Sequence, residues 1–351
     1  MPFDPLPPDL VLKTIDLKKY YEVGGLLGKK RIIKAVDGVN VNVGNEVYCV
    51  VGESGCGKST FARTLLGLEE ITDGDVLLKV PEHLAEELRR MGEKVKGNTV
   101  SYKHLSPKGH RKVKRAIQMV WQDPYSSLDP KMRIWESVAE PLIVHKLVKS
   151  KEEARERAIE ALKKVKLDEE VADRYPHQLS GGQRQRAVIA RALVVNPNVI
   201  VADEPVSMLD VSIRAEIIHM LRELHKKEGV SLIVITHDLS TTPHLCDRIG
   251  VMYLGKIVEE GPTKEVIENP LHPYTKALLA AVLEPDPENR KRKIEVPVKG
   301  EVSVPPERGC RFYPRCVVLD QRKDLEGKCK TEEPPLVGEG HKVACWAAEQ
   351  L

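Results

Sequence analysis

Apolar residues along the chain fall into short runs separated by turns and by helical stretches. Strands are predicted at residues 10–15, 31–43, 47–51, 75–80, 116–121, 198–203 and 230–236, with turns at Gly24-Gly25 and Gly44-Asn45. The last run is apolar throughout, which is typical of a strand buried on both faces. A helix-like stretch at residues 61–68 follows the run at 47–51. Strands and helices therefore alternate through the first two thirds of the chain.

Residues 125–178 are polar and helical in pattern. One stripe of small and apolar residues repeats at helical spacing there: Ala154, Ala158, Ala161, Leu162 and Val165. We interpret this stripe as core packing rather than as a partner site.

Composition adds limits on the class of protein. The chain has 351 residues, room for roughly two domains, and 41% hydrophobic residues, enough for a core. Its 55 Lys and Arg nearly balance 52 Asp and Glu, so no nucleic-acid partner is expected. No apolar stretch is long enough to cross a bilayer and the first residues lack a secretion signal, so a cytosolic protein is expected. The abundance of Lys and Glu hints at a heat-loving source.

One stretch, residues 79–115, is strongly basic, with eleven Lys or Arg against four Asp or Glu. Such a run is usually a solvated, mobile face. A contact with anionic lipid headgroups is the alternative interpretation.

The sequence GESGCGKST at residues 52–60 fits G-x-x-x-x-G-K-[ST] between a strand and a helix. Its glycines let backbone N–H groups point at phosphates, and the helix that follows directs its positive end at them. Lys58 can bind the β and γ oxygens, and the Ser59 hydroxyl can hold Mg²⁺. The loop predicts a nucleotide site, whereas a plain glycine turn would leave Lys58 unexplained.

Further polar residues follow later strands. Gln122 closes the strand at 116–121 and can place its amide oxygen on Mg²⁺ or on the attacking water. Asp203 ends the strand at 198–203 and suits a Mg²⁺ ligand, while Glu204 is placed to deprotonate a water in line with the γ-phosphate. His237 ends the strand at 230–236, where we expect a γ-phosphate contact rather than a structural role.

A second phosphate-binding element is predicted at residues 179–186, LSGGQRQR. Ser180 is a natural N-cap, and the amides of Gly181 and Gly182 are exposed at the start of a helix. A single nucleotide rarely contacts two such helix N-termini that belong to the same lobe of one protein chain. Upstream, Tyr20 and Tyr21 offer aromatic faces that can stack on a nucleobase or serve as ordinary strand residues.

Taken together, these motifs resemble the ATP-binding subunits of ABC transporters over nearly the whole chain. The resemblance implies an α/β fold: a P-loop ABC ATPase domain with a mostly parallel sheet core, an antiparallel β subdomain and a helical subdomain. It divides the chain into a nucleotide-binding domain at 1–265, with the helical subdomain at about 123–178 and the basic insertion at about 79–115, and a small cysteine-rich C-terminal extension at 266–351. The insertion is longer than the family norm, and Met208 replaces a usual small residue.

The resemblance also implies the roles of the site residues. Two subunits stack head to tail, so that the signature at 179–183 of one closes over ATP bound by the phosphate loop of the other, and Tyr21 stacks on adenine. The catalytic residues are Glu204 and His237, and the Mg²⁺ ligands are Ser59, Gln122 and Asp203. The ATP-binding positions are Tyr21, Gly52, Ser54, Gly55, Cys56, Gly57, Lys58, Ser59, Thr60, Gln122, Ser180, Gly181, Gly182, Gln183, Asp203 and Asp210.

Several stretches are similar to the oligopeptide/dipeptide importer branch, among them residues 121–130, 174–177, 269–275 and 309–316. The resemblance implies an ATP-hydrolysing motor at the cytoplasmic face of the membrane. It would work with a second ATPase subunit, identical or paralogous, with two permeases and, indirectly, with a solute-binding protein. An oligosaccharide importer, for example of cello-oligosaccharides, shares these motifs, and a soluble ABC ATPase outside transport is a further alternative.

Four of the seven cysteines lie in the tail at spacing C-x5-C-x12-C-x15-C: Cys310, Cys316, Cys329 and Cys345. A reducing compartment argues against disulfides and for a metal. Four cysteines can bind a tetrahedral zinc ion or a four-iron cluster, or they can be plain buried thiols. The C-x2-C knuckles that are usual in zinc sites are missing. The family resemblance implies a [4Fe–4S] cluster. A structural role is favoured over electron transfer because no second redox motif appears in the sequence. A Pro-rich linker is expected at 285–306.

Overall fold

A computed structural model describes residues 3–24, 31–281, 298–300 and 306–348. The second residue of the expected Gly24-Gly25 turn and most of the expected linker at 285–306 lie outside the described residues.

Thirteen strands and thirteen α-helices are found in these ranges. The strands are β1 Leu10–Val23, β2 Arg31–Val39, β3 Asn42–Gly44, β4 Val47–Val51, β5 Asp73–Lys79, β6 Val95–Lys96, β7 Thr99–Ser101, β8 Ile117–Val120, β9 Val199–Asp203, β10 Ser231–Thr236, β11 Arg248–Tyr253, β12 Lys256–Pro262 and β13 Lys342–Val343. The helices are α1 Lys58–Leu65, α2 Glu82–Arg90, α3 Pro107–Val113, α4 Pro124–Ser127, α5 Ile134–Val144, α6 Lys151–Lys164, α7 Gly181–Leu193, α8 Val211–Glu228, α9 Thr242–Leu245, α10 Thr263–Glu268, α11 Pro273–Ala280, α12 Val318–Gln321 and α13 Glu326–Thr331.

The chain divides into two compact units. The first comprises Met1–Leu17, Asn40–Val47 and Ala62–Ile235, and the second comprises Lys18–Val39, Tyr48–Phe61 and Thr236–Leu351.

In the first unit, β8, β9 and β10 run parallel, with Ile117 and Ser231 both paired with Val199. Every residue of β9 and β10 is buried, as the apolar runs predict. Antiparallel pairs join β5 to β7 and β7 to β6. Parallel strands that alternate with helices, beside antiparallel pairs, confirm the expected α/β class.

The predicted strand at 31–43 is two strands. Between them, the backbone N–H of Val41 donates to the Thr14 hydroxyl oxygen at 2.8 Å, and the Asn40 amide oxygen accepts from the Asp16 N–H at 2.8 Å. Side chains thus replace some of the backbone hydrogen bonds between the two strands, although the Thr14 N–H still donates to the Val41 carbonyl at 2.9 Å.

The stripe on α6 is core packing, as predicted. Ala154, Ala158, Leu162 and Val165 are fully buried, and α6 packs against α5 and α7. The Ser150 hydroxyl caps the helix by accepting the Glu153 N–H at 3.1 Å.

Most charged side chains of the basic stretch at 79–115 are at least partly exposed, as expected, but the stretch is folded into regular elements rather than being a mobile face. It forms α2, β6, β7 and α3, and α2 buries Leu84, Ala85 and Leu88. Arg115 is the buried exception, and its guanidinium pairs with the Glu87 carboxylate at 2.6 Å. Apolar residues at helical spacing give α2 a buried face in spite of the net charge of the stretch.

In the second unit, β4 pairs parallel with β11, and β12 pairs antiparallel with β11 and with β13. Three of its aromatic rings are fully buried against one another: the Tyr253 ring lies 4.5 Å from the Tyr274 ring and 5.2 Å from the Phe312 ring. This cluster joins the strands to the cysteine-rich tail.

A disulfide joins Cys49 and Cys246, so the expectation of no disulfides is wrong. Cys49 lies on β4 and Cys246 two residues before β11, and their Cα atoms are 5.8 Å apart. The two residues are 197 positions apart in sequence, so only the pairing of β4 with β11 brings them together. Disulfides are rare in reducing compartments except in proteins of heat-loving organisms.

A search of the described residues for a helix long and apolar enough to span a bilayer finds none.

Candidate nucleotide-binding site

The phosphate-binding loop connects β4 to α1 and requires glycine at two positions. A Cβ atom at Gly57, where φ is +107°, would lie 2.1 Å from the carbonyl oxygen of Ala35. A Cβ atom at Gly52 would lie 2.2 Å from the carbonyl oxygen of Met252. Neighbouring backbone therefore packs directly against the loop, and a side chain would displace it.

Lys58 is the first residue of α1, and its side chain is folded into the loop. The ammonium nitrogen donates to the carbonyl oxygens of Gly52 at 2.7 Å and Glu53 at 2.9 Å. The residue is only 6% exposed, so these contacts hold the charge in place. The Phe61 N–H donates to the Gly57 carbonyl at 2.9 Å, which begins the helix.

The other loop residues differ in exposure. Ser54, Gly55 and Ser59 are exposed, and Thr60 is half-buried. Cys56 is buried, and burial raises the pKa of its thiol in spite of the nearby Lys58 charge. Ser59 thus lies at the surface, whereas Cys56 packs inward.

The carboxylates at the end of β9 occupy distinct environments. Asp203 is the last residue of the strand and is 6% exposed. Glu204 has a left-handed backbone, with φ of +46°, and its N–H donates to the Ile235 carbonyl on β10 at 2.8 Å. The Gln122 amide nitrogen donates to the Glu204 carboxylate at 2.8 Å. The amide thereby orients the carboxylate that sequence analysis predicts to be the general base.

The signature at 179–183 begins α7 with a reciprocal cap. The Ser180 hydroxyl accepts from the Gln183 N–H at 3.3 Å, while the Gln183 amide oxygen accepts from the Ser180 N–H at 3.1 Å. A Cβ atom at Gly182 would lie 2.6 Å from the Ile213 side chain, so glycine lets α8 approach closely. The Gly181 end of α7 is only half-buried.

Three further predicted residues are placed as follows. Tyr21 is half-buried on β1, with the Lys19 ammonium 4.9 Å from its ring centroid. Asp210 is exposed and precedes α8, and His237 is exposed directly after β10. The first unit contains Gln122, the signature, Asp203, Glu204 and Asp210. The second contains Tyr21, the phosphate loop and His237.

The four tail cysteines line one cavity of about 360 Å³, counting its open mouth, together with Phe312 and His272. Burial raises the pKa of Cys310 to about 12 and that of Cys329 to about 11, and the neighbouring thiols add to both shifts. No group of three or more His, Cys, Asp or Glu side chains in the described ranges is arranged to hold a metal ion. Thiols are donors that both zinc and iron–sulfur centres use.

Sequence analysis assigned no role to two residues that contact the phosphate loop. Arg315 in the tail donates to the Glu53 carboxylate, and the Tyr274 hydroxyl accepts the Glu53 N–H at 2.8 Å. Both residues belong to stretches that marked the importer branch, which was the available signal. Their partner is more than 200 positions away, so the sequence could not name it.

Comparisons with known proteins show the family of the chain. A family model described as ABC transporter matches residues 36–207, and one described as oligopeptide/dipeptide transporter, C-terminal region, matches residues 258–321. The oligopeptide transport ATP-binding protein OppF of Escherichia coli K12 is 42% identical over 352 residues, with 97% of each chain covered. The dipeptide transport ATP-binding protein DppF of the same organism is 40% identical over 345 residues, covering 97% of this chain and 95% of the relative.

Among solved structures, a dimeric post-hydrolysis state of the ATP-binding cassette MJ0796 bound to ADP and Pi matches with a TM-score of 0.58 and 31% identity, covering 72% of this chain and 98% of that one. The fold is that of an ATP-binding cassette. The chain belongs to the ATP-binding subunits of ABC transporters and, within them, to the oligopeptide/dipeptide family.

Proposed function

We propose that the chain is the ATP-hydrolysing motor subunit of a membrane importer for oligopeptides or dipeptides. The observation that carries the proposal is the Glu204 carboxylate, held by Gln122 at the end of β9 and preceded by a second acid, Asp203. The curated relatives are described as dipeptide or oligopeptide transport ATP-binding proteins, which favours peptides over oligosaccharides as the solute.

In the proposed mechanism, the phosphate loop binds ATP through its backbone N–H groups and Lys58. Ser59, Gln122 and Asp203 hold Mg²⁺, which lowers the charge on the phosphates. Glu204 accepts a proton from the attacking water. His237 and Lys58 stabilise the charge that develops on the γ-phosphate.

The remaining predicted ATP-binding residues act around the same nucleotide. In this proposal Tyr21 stacks on adenine. Ser180, Gly181, Gly182, Gln183 and Asp210 contact ATP held by a second subunit, identical or paralogous, in a head-to-tail dimer. The dimeric MJ0796 cassette with ADP and Pi supports this arrangement.

The proposed assembly also contains two membrane permeases, and a solute-binding protein delivers the peptide. The chain would bind the permeases at the cytoplasmic face of the membrane. We propose a nucleotide-binding domain at 1–265 followed by an extension at 266–351. A pull-down from membranes should recover two multi-spanning permeases and a second ATPase. Recovery of the chain alone would favour an ABC ATPase outside transport.

The direct test of catalysis is Glu204→Gln in the full chain. The variant should bind ATP as tightly as the wild type but lose turnover by about a thousandfold, because the amide cannot accept the proton. Glu160→Gln, the same change at an exposed position on α6, is the matched control and should leave turnover unchanged. Full turnover in Glu204→Gln would remove Glu204 from its proposed role.

We further propose that Cys310, Cys316, Cys329 and Cys345 bind a [4Fe–4S] cluster that stabilises the small tail. The proposal is supported by the four thiols that line one cavity, since Cys thiolates are the usual ligands of such a cluster. Protein purified without oxygen should be brown. Cys316→Ser should abolish the colour and Cys56→Ser should retain it. A colourless protein with stoichiometric zinc would contradict the cluster.

A further inference from the structure

The tail segment between the first two cysteines contacts the phosphate-binding loop directly. The Arg315 guanidinium forms two hydrogen bonds with the Glu53 carboxylate, from Nη1 at 3.0 Å and from Nη2 at 3.3 Å. The Arg315 side chain is 8% exposed and the Glu53 side chain 31%, so the arginine is buried while the carboxylate is partly open to water. A bidentate contact of this kind fixes the orientation of the carboxylate as well as its distance from the guanidinium.

Glu53 is also held through its backbone. Its N–H donates to the hydroxyl oxygen of Tyr274 at 2.8 Å, and its carbonyl oxygen accepts from the Lys58 ammonium at 2.9 Å. Glu53 therefore links the tail arginine to the lysine proposed to bind the phosphates. A shift of Glu53 would move the carbonyl that positions Lys58.

A second arginine of the same segment supports the loop from another side. The Arg311 guanidinium donates to the carbonyl oxygen of Leu254 and to the Asp37 carboxylate. The next residue, Gly255, donates its N–H to the Cys56 carbonyl at 2.7 Å. Two separate routes thus connect residues 310–316 to the loop.

The cavity of the four cysteines shares a wall with this support. Phe312 lines the cavity and is 1% exposed, and its ring lies 5.6 Å from the ring of Tyr274. Arg315 directly precedes Cys316, and Arg311 directly follows Cys310. Movement of the cysteines would therefore move the residues that hold Glu53 and Leu254.

We infer that Arg315 is a positioning residue for the phosphate-binding loop, and that it couples nucleotide affinity to the conformation of the four-cysteine segment. The inference rests on the proposed function in one respect, namely that this loop binds ATP. Coupling between two sites is reciprocal, so ATP should also stabilise one conformation of residues 310–316.

The first experiment measures the Kd of a fluorescent ATP analogue for the full chain with Mg²⁺. Arg315→Met should raise Kd on the order of tenfold, and Arg315→Lys should restore part of the affinity because it retains the charge but not the fork. Arg308→Met is the matched control, since Arg308 is exposed two residues before this segment. An Arg315→Met variant with the Kd of Arg308→Met would overturn the inference.

A double-mutant cycle separates positioning from a general loss of stability. If the pair acts as a unit, Arg315→Met combined with Glu53→Gln should raise Kd by clearly less than the product of the two single effects. Effects that multiply would contradict the inference. Failure of the wild type itself to bind the analogue would instead contradict the proposed function.

The second experiment tests the reciprocal effect without measuring activity. Hydrogen exchange followed by mass spectrometry gives the exchange rates of the backbone amides at 310–316 separately from those of the phosphate loop at 52–60, whether or not the cysteines hold a cluster. Mg-ATP should slow exchange at 310–316 severalfold in the wild type and have no such effect in Arg315→Met. Protection confined to residues 52–60 would show that nucleotide binding does not reach the tail and would overturn the inference.

Discussion

Ser180 and Gln183 each accept the other's backbone N–H at the start of α7, at 3.3 and 3.1 Å. This reciprocal cap fixes the first turn of the helix that begins the signature sequence. The glycine amides that follow are thereby held in the orientation that a phosphate would require.

Replacing Ser180 separates the structural and functional contributions of this cap. Ser180→Ala should lower the free energy of unfolding by about 1 kcal/mol, because the Gln183 N–H loses its acceptor. Ser150→Ala removes an equivalent cap from α6 and should cost about the same. Only Ser180→Ala should reduce ATP turnover. Equal turnover in the two variants, measured at matched stability, would remove the signature from the ATP site.

The disulfide between Cys49 and Cys246 leaves five free cysteines. Thiol titration of the denatured, unreduced protein in the presence of a chelator should therefore find five thiols. Reduction should lower the free energy of unfolding by about 2–4 kcal/mol, since the bond closes a long loop. A count of seven thiols, together with a melting temperature that does not change on reduction, would contradict the disulfide.

His272 gives the stability a dependence on pH. The residue is fully buried, and burial lowers the pKa of its imidazole to about 3, against about 6.5 in an unfolded chain. The unfolded chain binds the extra proton between these values. Stability is therefore complete above pH 6.5 and falls as the pH drops toward 3, by up to about 1.4 kcal/mol per pH unit.

The variant His272→Asn isolates this contribution. Its amide oxygen can replace the ring nitrogen that accepts the Tyr274 N–H at 3.0 Å. Urea unfolding at several pH values should show a shallower acid slope than in the wild type. The exposed His244→Asn should retain the wild-type slope. Identical slopes in all three proteins would mean that His272 is not the titrating group.

Tyr274 supports the phosphate loop through its hydroxyl oxygen. Tyr274→Phe retains the buried ring but leaves the Glu53 N–H without this acceptor, so it should cost about 1–2 kcal/mol of stability. It should also weaken ATP binding. Tyr313→Phe, at a half-buried position in the tail, serves as the comparison. Equal denaturant midpoints for the two variants would show that the hydrogen bond contributes nothing.

Local patterns predicted the parts of the site that follow from strand ends and helix starts. The phosphate loop follows β4, Asp203 ends β9, and Ser180 begins α7, each as expected. The apolar stripe on α6 was also predicted, because helical periodicity directly reflects burial.

Contacts between residues that are far apart in the chain could not be predicted from the sequence. Arg315 and Glu53 are 262 positions apart, and Cys49 and Cys246 are 197 apart, so no spacing rule connects them. The basic stretch at 79–115 misled in a different way, since its net charge concealed the apolar face of α2. The net charge of a segment therefore does not show whether one of its faces is apolar and buried.

The central claim is that ATP is bound between two like subunits, each contributing half of the site. Sedimentation velocity of Glu204→Gln with and without Mg-ATP tests it most directly, because a variant that cannot hydrolyse ATP should remain closed. The account predicts a monomer without nucleotide and a dimer with it, and no dimer when Ser180 is also replaced by Arg. A protein that stays monomeric with ATP bound, while the wild type hydrolyses at full rate as a monomer, would contradict the account.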